Sequence, residues 1–188
     1  MPTPAELRAA VLARYGEVAE GAEGHFAYPV GRASAERLGY DPASLAQVPS
    51  RSLARFVGVG NPLLHRPPRP LETTLDVGCG AGLDTFVAAA MVGPRGRAAG
   101  LDLTAAMLPR PRANARFVAG DAEHLPFSDA SFDLVTSNGA LNLVPDKAAA
   151  FREIRRVLRP GGGLAIADLL VIATVPEEEL ASMDAWST

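Results

Sequence analysis

Thr74 to Phe86 reads TLDVGCGAGLDTF. An apolar run ends at Val77, glycines stand at 78, 80 and 82, and apolar residues then resume at a different period. Gly78, Gly80 and Gly82 let a chain turn sharply off a strand and leave no side chain between backbone and ligand, so that amides opening the next helix can face that ligand. A dinucleotide fingerprint has the spacing G-x-G-x-x-G, and the sixth position counted from Gly78 is Leu83. What stands here is D-x-G-x-G-x-G, with Asp76 at the strand's end.

Outward from this turn, short β-type runs alternate with helical ones. The pattern predicts strands at about 73–77, 97–102, 115–119, 132–137 and 163–170, and helices at about 83–92, 104–108 and 147–159. The strands are continuously apolar, as expected of parallel strands buried on both faces. The expected fold class is therefore α/β, a Rossmann-like doubly wound, mostly parallel sheet that binds its ligand at the carboxyl ends of the strands. Phe151, Ile154 and Leu158 recur at helical spacing and are expected in the core.

Residues 1–61 read as a helical cap. Thr3 and Glu6 have capping-box spacing, Pro4 suits a first helical position, and the helix is expected to end near Gly16. Asp41-Pro42 opens a second helix and Ser50 a third. The prolines of 62–70 exclude regular helix and mark a linker. Residues 71–188 form the ligand-binding domain.

The chain has 188 residues, 48% hydrophobic and 21% charged, an ordinary globular composition. A net charge of −3 argues against a nucleic-acid partner. The arginine-rich pieces at 66–69 and 152–159 are short and interrupted, and read as solvated faces. No run of about 18 uncharged apolar residues exists, and Glu6, Arg8 and Arg14 fall where a leader would be apolar, so no membrane association and a cytoplasmic location are expected. Cys79 is the single cysteine, which excludes an internal disulfide and a thiolate-rich metal site; no metal is expected. Lys147, the sole lysine, is assigned no function.

Acids mark the expected cleft. Asp102 ends the second strand and can accept both hydroxyls of a ribose; Asp76 lies beside the glycine turn and can take a cationic amine; Asp121 follows the third strand and can accept an adenine amino group. Carboxylates so placed suit a nucleoside with a positively charged tail and would repel a pyrophosphate.

On these residues the segment from Leu71 to Leu170 resembles the class I S-adenosylmethionine-dependent methyltransferases, in LDVGCGAG, GLDLT, GDAEHLPF and LRPGGGLAIAD taken in order. With RYGEVAEG, GYDPASLAQVP, VGVGNPL and the run from Ser137 to Gly162, nearly the whole chain is similar to the arsenite methyltransferase family and its close relatives. The resemblance implies S-adenosyl-L-methionine as cofactor, S-adenosyl-L-homocysteine as product, and a cofactor site of Tyr15, Asp76, Gly78, Cys79, Gly80, Gly82, Asp102, Leu103, Met107, Asp121, Ala122 and Asn138. It places Tyr15 over the methionine end and the N-terminal part as a lid.

The chain departs from that family in three places. A cysteine that holds trivalent arsenic is expected after Ser137-Asn138, where Gly139 stands, so arsenite loses its soft ligand. Cys79 reads as a small filler of the glycine turn. Pro109 and Pro111 cut short the helix expected after Met107. The chain ends at PEEELASMDAWST, just past the fifth strand and into an expected further helix, where the resembled fold continues with two more strands; an apolar fifth strand at the edge then calls for a truncation, a covering homodimer or a shortened enzyme.

Methyl transfer from a sulfonium needs alignment more than acid–base chemistry. Catalytic candidates are His25, Tyr28 and Asn138, with Asn142 also near the fourth strand's end; His124 is expected to be structural and His65 has no role. The expected function is arsenite methyltransferase-like methyl transfer to a small-molecule acceptor other than arsenite, or only weakly to arsenite. A cofactor-binding regulatory protein is the alternative, and a nicotinamide oxidoreductase is disfavoured by Leu83.

Overall fold

The structure, a computed structural model, describes residues 2–170. Five strands, β1 (Thr73–Val77), β2 (Arg97–Asp102), β3 (Ala115–Ala119), β4 (Phe132–Asn138) and β5 (Leu158–Ala167), form one sheet in the order β3-β2-β1-β4-β5. Every neighbouring pair is parallel. This is the Rossmann-like α/β sheet expected, and the order reverses at β1, so β1 and β4 diverge around a crevice at their carboxyl ends.

Six helices accompany the sheet: α1 (Pro4–Val18), α2 (Gly31–Arg37), α3 (Pro42–Leu45), α4 (Ser50–Ala54), α5 (Leu83–Val92) and α6 (Lys147–Val157). The helix α5, LDTFVAAAMV, is buried almost all round because it lies between the sheet and α2–α4. Leu45, Leu53, Phe56 and Leu63 pack in one cluster with Phe86, Val87, Ala98 and Ala115. On the opposite face α6 presents Ala150, Ile154 and Val157 to Leu75, Val77, Leu101, Phe132 and Val135. Val18, Ala19 and Ala22, at and just past the end of α1, pack on Ala81 and Met107, which sets that helix over the glycine turn.

Several local readings are corrected. Phe151 is 43% exposed, since it stands one position, about 100°, off the buried 150/154/157 stripe. Leu158 is only partly buried and opens β5. That strand begins five residues early, because the register shifts between Phe132 and Leu134 and the glycine-rich segment stays in the ladder. It ends at Ala167; residues 168–170 carry no strand, and the expected C-terminal helix lies outside the described residues. The capping box at Thr3 and Glu6 forms, yet α1 runs past Gly16 to Val18. Ser50 is the first helical residue of α4 and Pro49 its cap. The expected helix at 104–108 is a 3-10 turn, Ala105–Met107, ended by the proline segment. Another 3-10 turn, Pro62–Leu64, has Pro62 and Leu63 buried and lies against β4 and β5.

Among the described residues no helix is long and apolar enough to cross a membrane.

Candidate functional site

A cleft opens at the carboxyl ends of β1, β2 and β4. Its floor is the turn from Gly78 to Ala81. The turn is drawn against β2 by two amides, since Gly78 and Cys79 both donate to the Leu101 carbonyl. Gly78 has φ +75°, and a Cβ there would lie 2.1 Å from that of Ala140. Only glycine lets β1 leave the sheet so close to the segment that follows β4.

Asp102 closes one side. Its Oδ2 accepts from the Gly80 amide at 2.7 Å and its Oδ1 from the Thr104 amide at 2.8 Å. Each oxygen keeps a further lone pair, so the carboxylate offers two adjacent acceptors on a fixed mount. Burial pushes its pKa up, against the pull of those two amides. Beside it the Thr104 hydroxyl is buried with no partner, an orphaned polar atom on the wall of the cleft. Together these suit a polyhydroxylated ligand such as a ribose.

Of the residues expected at the site, the structure brings Tyr15, Gly78, Cys79, Gly80, Asp102, Leu103, Met107, Asp121, Ala122 and Asn138 around one cleft. Asp76 and Gly82 do not line it. Asp76 is 3% exposed and accepts from Thr85 Oγ1 at 2.9 Å and Thr136 Oγ1 at 3.2 Å, so its carboxylate braces β1, β4 and α5 from behind the turn. Gly82, at φ +84°, faces the Phe117 ring, which a Cβ would meet at 2.7 Å.

His25 and Tyr28 are not on the cleft wall. The Tyr28 hydroxyl donates to the Val57 carbonyl at 3.2 Å, and its ring packs on Phe26. His25 lies 3.7 Å from Glu17, and its carbonyl accepts from Arg14. Asn138 does line the cleft, but its amide is fully engaged: Oδ1 accepts from the amides of Val59 and Gly60, and Nδ2 donates to the Gly60 carbonyl, Tyr40 and Asp84. It ties the N-terminal segment to the end of β4. Asn142 lies off the cleft; its backbone N–H donates to Asp168 Oδ2 at 3.1 Å. His124 is exposed.

Two residues on the wall had no clear sequence signal. Asp84, in the first turn of α5, is 5% exposed, accepting from Tyr40 and from Asn138 at 3.0 Å. In sequence it reads as an acid complementing a helix dipole. Arg8, from α1, donates through Nε to Asp121 at 2.9 Å and through Nη2 to Glu123. That pairing joins residues 113 apart, which no local pattern reveals. Arg8→Ala should therefore loosen α1 selectively: amide exchange across residues 4–18 is expected to quicken about tenfold, with the strands unchanged. Uniform protection would show that the pair does not hold the helix.

Burial drives Asp76 and Asp84 to raised pKa values, and the Asp84 charge adds to the rise at Asp76. Folding then favours their protonated forms. Their contribution to stability is complete below the ordinary carboxylate range near pH 4 and is lost as pH rises through the raised values. Groups held by arginine, such as Glu72 and Glu153, are lowered and lose stability only at more acid pH. Denaturation midpoints should thus fall as pH rises from 5 to 8, and Asp76→Asn should flatten that slope.

Cys79 is buried, and desolvation with the nearby Asp102 and Asp76 pushes its thiol well above its ordinary pKa. It stays protonated at neutral pH, which suits packing better than ligation.

Comparison with known proteins agrees with this geometry. Residues 69–188 match the family model described as a methyltransferase domain. The chain is 41% identical over 151 residues to an arsenite methyltransferase of Halobacterium salinarum, covering 76% of this chain and 38% of that protein. It is 44% identical over 94 residues to a demethylmenaquinone methyltransferase of Staphylococcus aureus, covering 47% of this chain and 39% of the relative. The match thus spans about two fifths of each of these relatives. Among solved structures, the arsenic(III) S-adenosylmethionine methyltransferase of Chlamydomonas reinhardtii superposes with a TM-score of 0.67 at 34% identity, over 74% of this chain and 52% of that one.

Proposed function

The chain belongs to the class I S-adenosylmethionine-dependent methyltransferases, and from that premise we propose that it transfers a methyl group to a small-molecule acceptor in the cleft above the glycine turn. The observation that carries this reading is Asp102, a carboxylate fixed by two backbone amides at the end of β2 and facing a glycine-floored cleft. Asp102 would hold the ribose hydroxyls, with the unpartnered Thr104 hydroxyl as a further contact. The bound sulfonium supplies an already activated methyl group.

The chain's own part is binding, orientation and exclusion of water. The glycine turn admits the ligand closely, α1 covers it through Arg8, and Leu141, Val144 and Pro145 furnish an apolar wall. Holding two reactants in line can supply roughly 7 to 11 kcal/mol, so no dedicated base is required. His25 and Tyr28 remain bystanders in this reading, and Asn138 positions the wall.

On this reading the acceptor is a molecule other than arsenite. Trivalent arsenic binds soft thiolates; Cys79 is the chain's only cysteine, and it is buried and held protonated. Gly139 stands after Asn138, where the related enzymes' thiol is expected.

Transfer of radiolabelled methyl from S-adenosylmethionine, scored across phenols, quinols, carboxylates and amines with arsenite in parallel, tests this. Turnover of an organic acceptor with none of arsenite is expected. Arsenite methylation, or no transfer to any acceptor by protein that binds the cofactor, would overturn it.

A further inference from the structure

A second groove adjoins the cleft on the side of the proline-containing loop. It is bounded by Arg51 and Arg55 at the α4 end and by Arg110 and Arg112 from the segment after Met107. Among the described residues no acid lines it. Ser52, Arg55, Ala81 and Met107 belong to both walls, so the groove is continuous with the candidate cofactor cleft.

The four guanidinium groups are unusual for what they lack. Each ion pair among the described residues is made by another basic side chain, and none of these four has a hydrogen-bond partner there. In a chain of net charge −3, four like charges gathered around one concavity repel one another and concentrate a positive field inside it. That field favours a negatively charged occupant.

The mounts are stiff. Pro109 and Pro111 bracket Arg110 and fix the backbone torsions of its segment, while Pro49 caps the turn that carries Arg51. A ligand meeting these arginines has little backbone to order, which lowers the entropic cost of binding. Prolines that break the helix expected after Met107 thus convert that stretch into a rim bearing Arg110 and Arg112.

From this geometry we infer that the groove is a binding site for a small polyanion, a molecule bearing two or more phosphate or carboxylate groups. Guanidinium forks pair with either group through two parallel N–H···O bonds. The concave shape suits a small molecule. Because Arg55 and Met107 serve both walls, a filled groove and a filled cleft influence each other's affinity, and that influence is reciprocal.

The test is calorimetric titration of the full chain with pyrophosphate and, separately, with citrate at 20 and 200 mM salt. At least one is expected to bind at low salt and to weaken at high salt. The double variant Arg51→Ala/Arg110→Ala should lose about tenfold or more in that affinity, with its melting temperature and its binding of S-adenosylhomocysteine unchanged. Both substituted side chains are exposed and lie off the cofactor cleft. Preference for pyrophosphate assigns the groove to phosphates, and preference for citrate assigns it to carboxylates. Binding of neither probe, equal binding by the double variant, or tighter binding of a short single-stranded oligonucleotide than of either probe would overturn the inference. The probes need no methyl transfer, so this result is independent of the methyltransferase reading.

Discussion

Asp102→Asn is expected to raise the dissociation constant for S-adenosylmethionine by about a hundredfold or more. The carboxylate sits on two amides, Gly80 and Thr104, and has one free lone pair per oxygen for the vicinal hydroxyls of a ribose. Asparagine keeps the shape but replaces one oxygen with an NH2 group that must face either a backbone N–H or a ribose hydroxyl. Two charge-assisted hydrogen bonds at roughly 1.5 kcal/mol or more each give about 3 kcal/mol, which is the hundredfold. S-adenosylhomocysteine should lose as much, since the ribose is common to both and only the sulfonium differs. A titration in which the variant binds both within a factor of three of the parent would remove Asp102 from the site. A larger loss for the sulfonium alone would mean that its charge, and not the ribose, is what Asp102 recognises.

The second large effect is on the fold. Gly78→Ala is expected to destabilise the protein by roughly 2 to 5 kcal/mol. The added Cβ lies 2.1 Å from Ala140, and the residue must hold φ +75°. The left-handed conformation costs an alanine about 1 to 2 kcal/mol, and forcing a methyl into packed space about 1 to 3 more. The segment after β4 must move to relieve the clash, carrying Leu141 and the apolar wall with it. Cofactor affinity should therefore fall together with the denaturation midpoint. A Gly78→Ala variant as stable as the parent would show that neither the torsion nor the contact with Ala140 constrains the turn.

Where apolar period and glycine placement acted together, the sequence was a reliable guide. The bounds of β1, β2, β3 and α5 follow directly from apolar runs punctuated by glycine. The burial differs, however: β1 is buried from Thr74 to Val77, whereas β3, at the sheet edge, is buried only at Ala115. The acid at the end of β2 is legible because strand ends bring it to the crevice. The helix α2 was not, since its cap, Val30, offers no side-chain oxygen and Gly31 starts it from a positive φ. The early start of β5 was hidden because RPGGG reads as a turn, and only pairing with β4 keeps it in the sheet.

The site shows the same division. Glycine spacing and strand ends point to Gly78, Gly80, Asp102 and Asp121. Roles that depend on distant partners do not show in the chain. Asp76 is drawn behind the turn by Thr85 and Thr136, and Asn138 is used up by Tyr40, Asp84 and the Val59–Gly60 backbone. Polar residues of this kind look like ligands in a sequence and act as braces in the fold. The four arginines of the second groove sit 55 or more positions apart across its two sides, one pair by the helix that Ser50 opens and the other in the proline-broken stretch after Met107, and no local pattern joins them.

The most direct test of the central claim is calorimetric titration of the purified protein with S-adenosylmethionine and S-adenosylhomocysteine, with NAD as control. Micromolar binding of both sulfur ligands, none of NAD, and loss of both in Asp102→Asn is the predicted result. Well-folded protein that binds neither, or that binds NAD in their place, would contradict it.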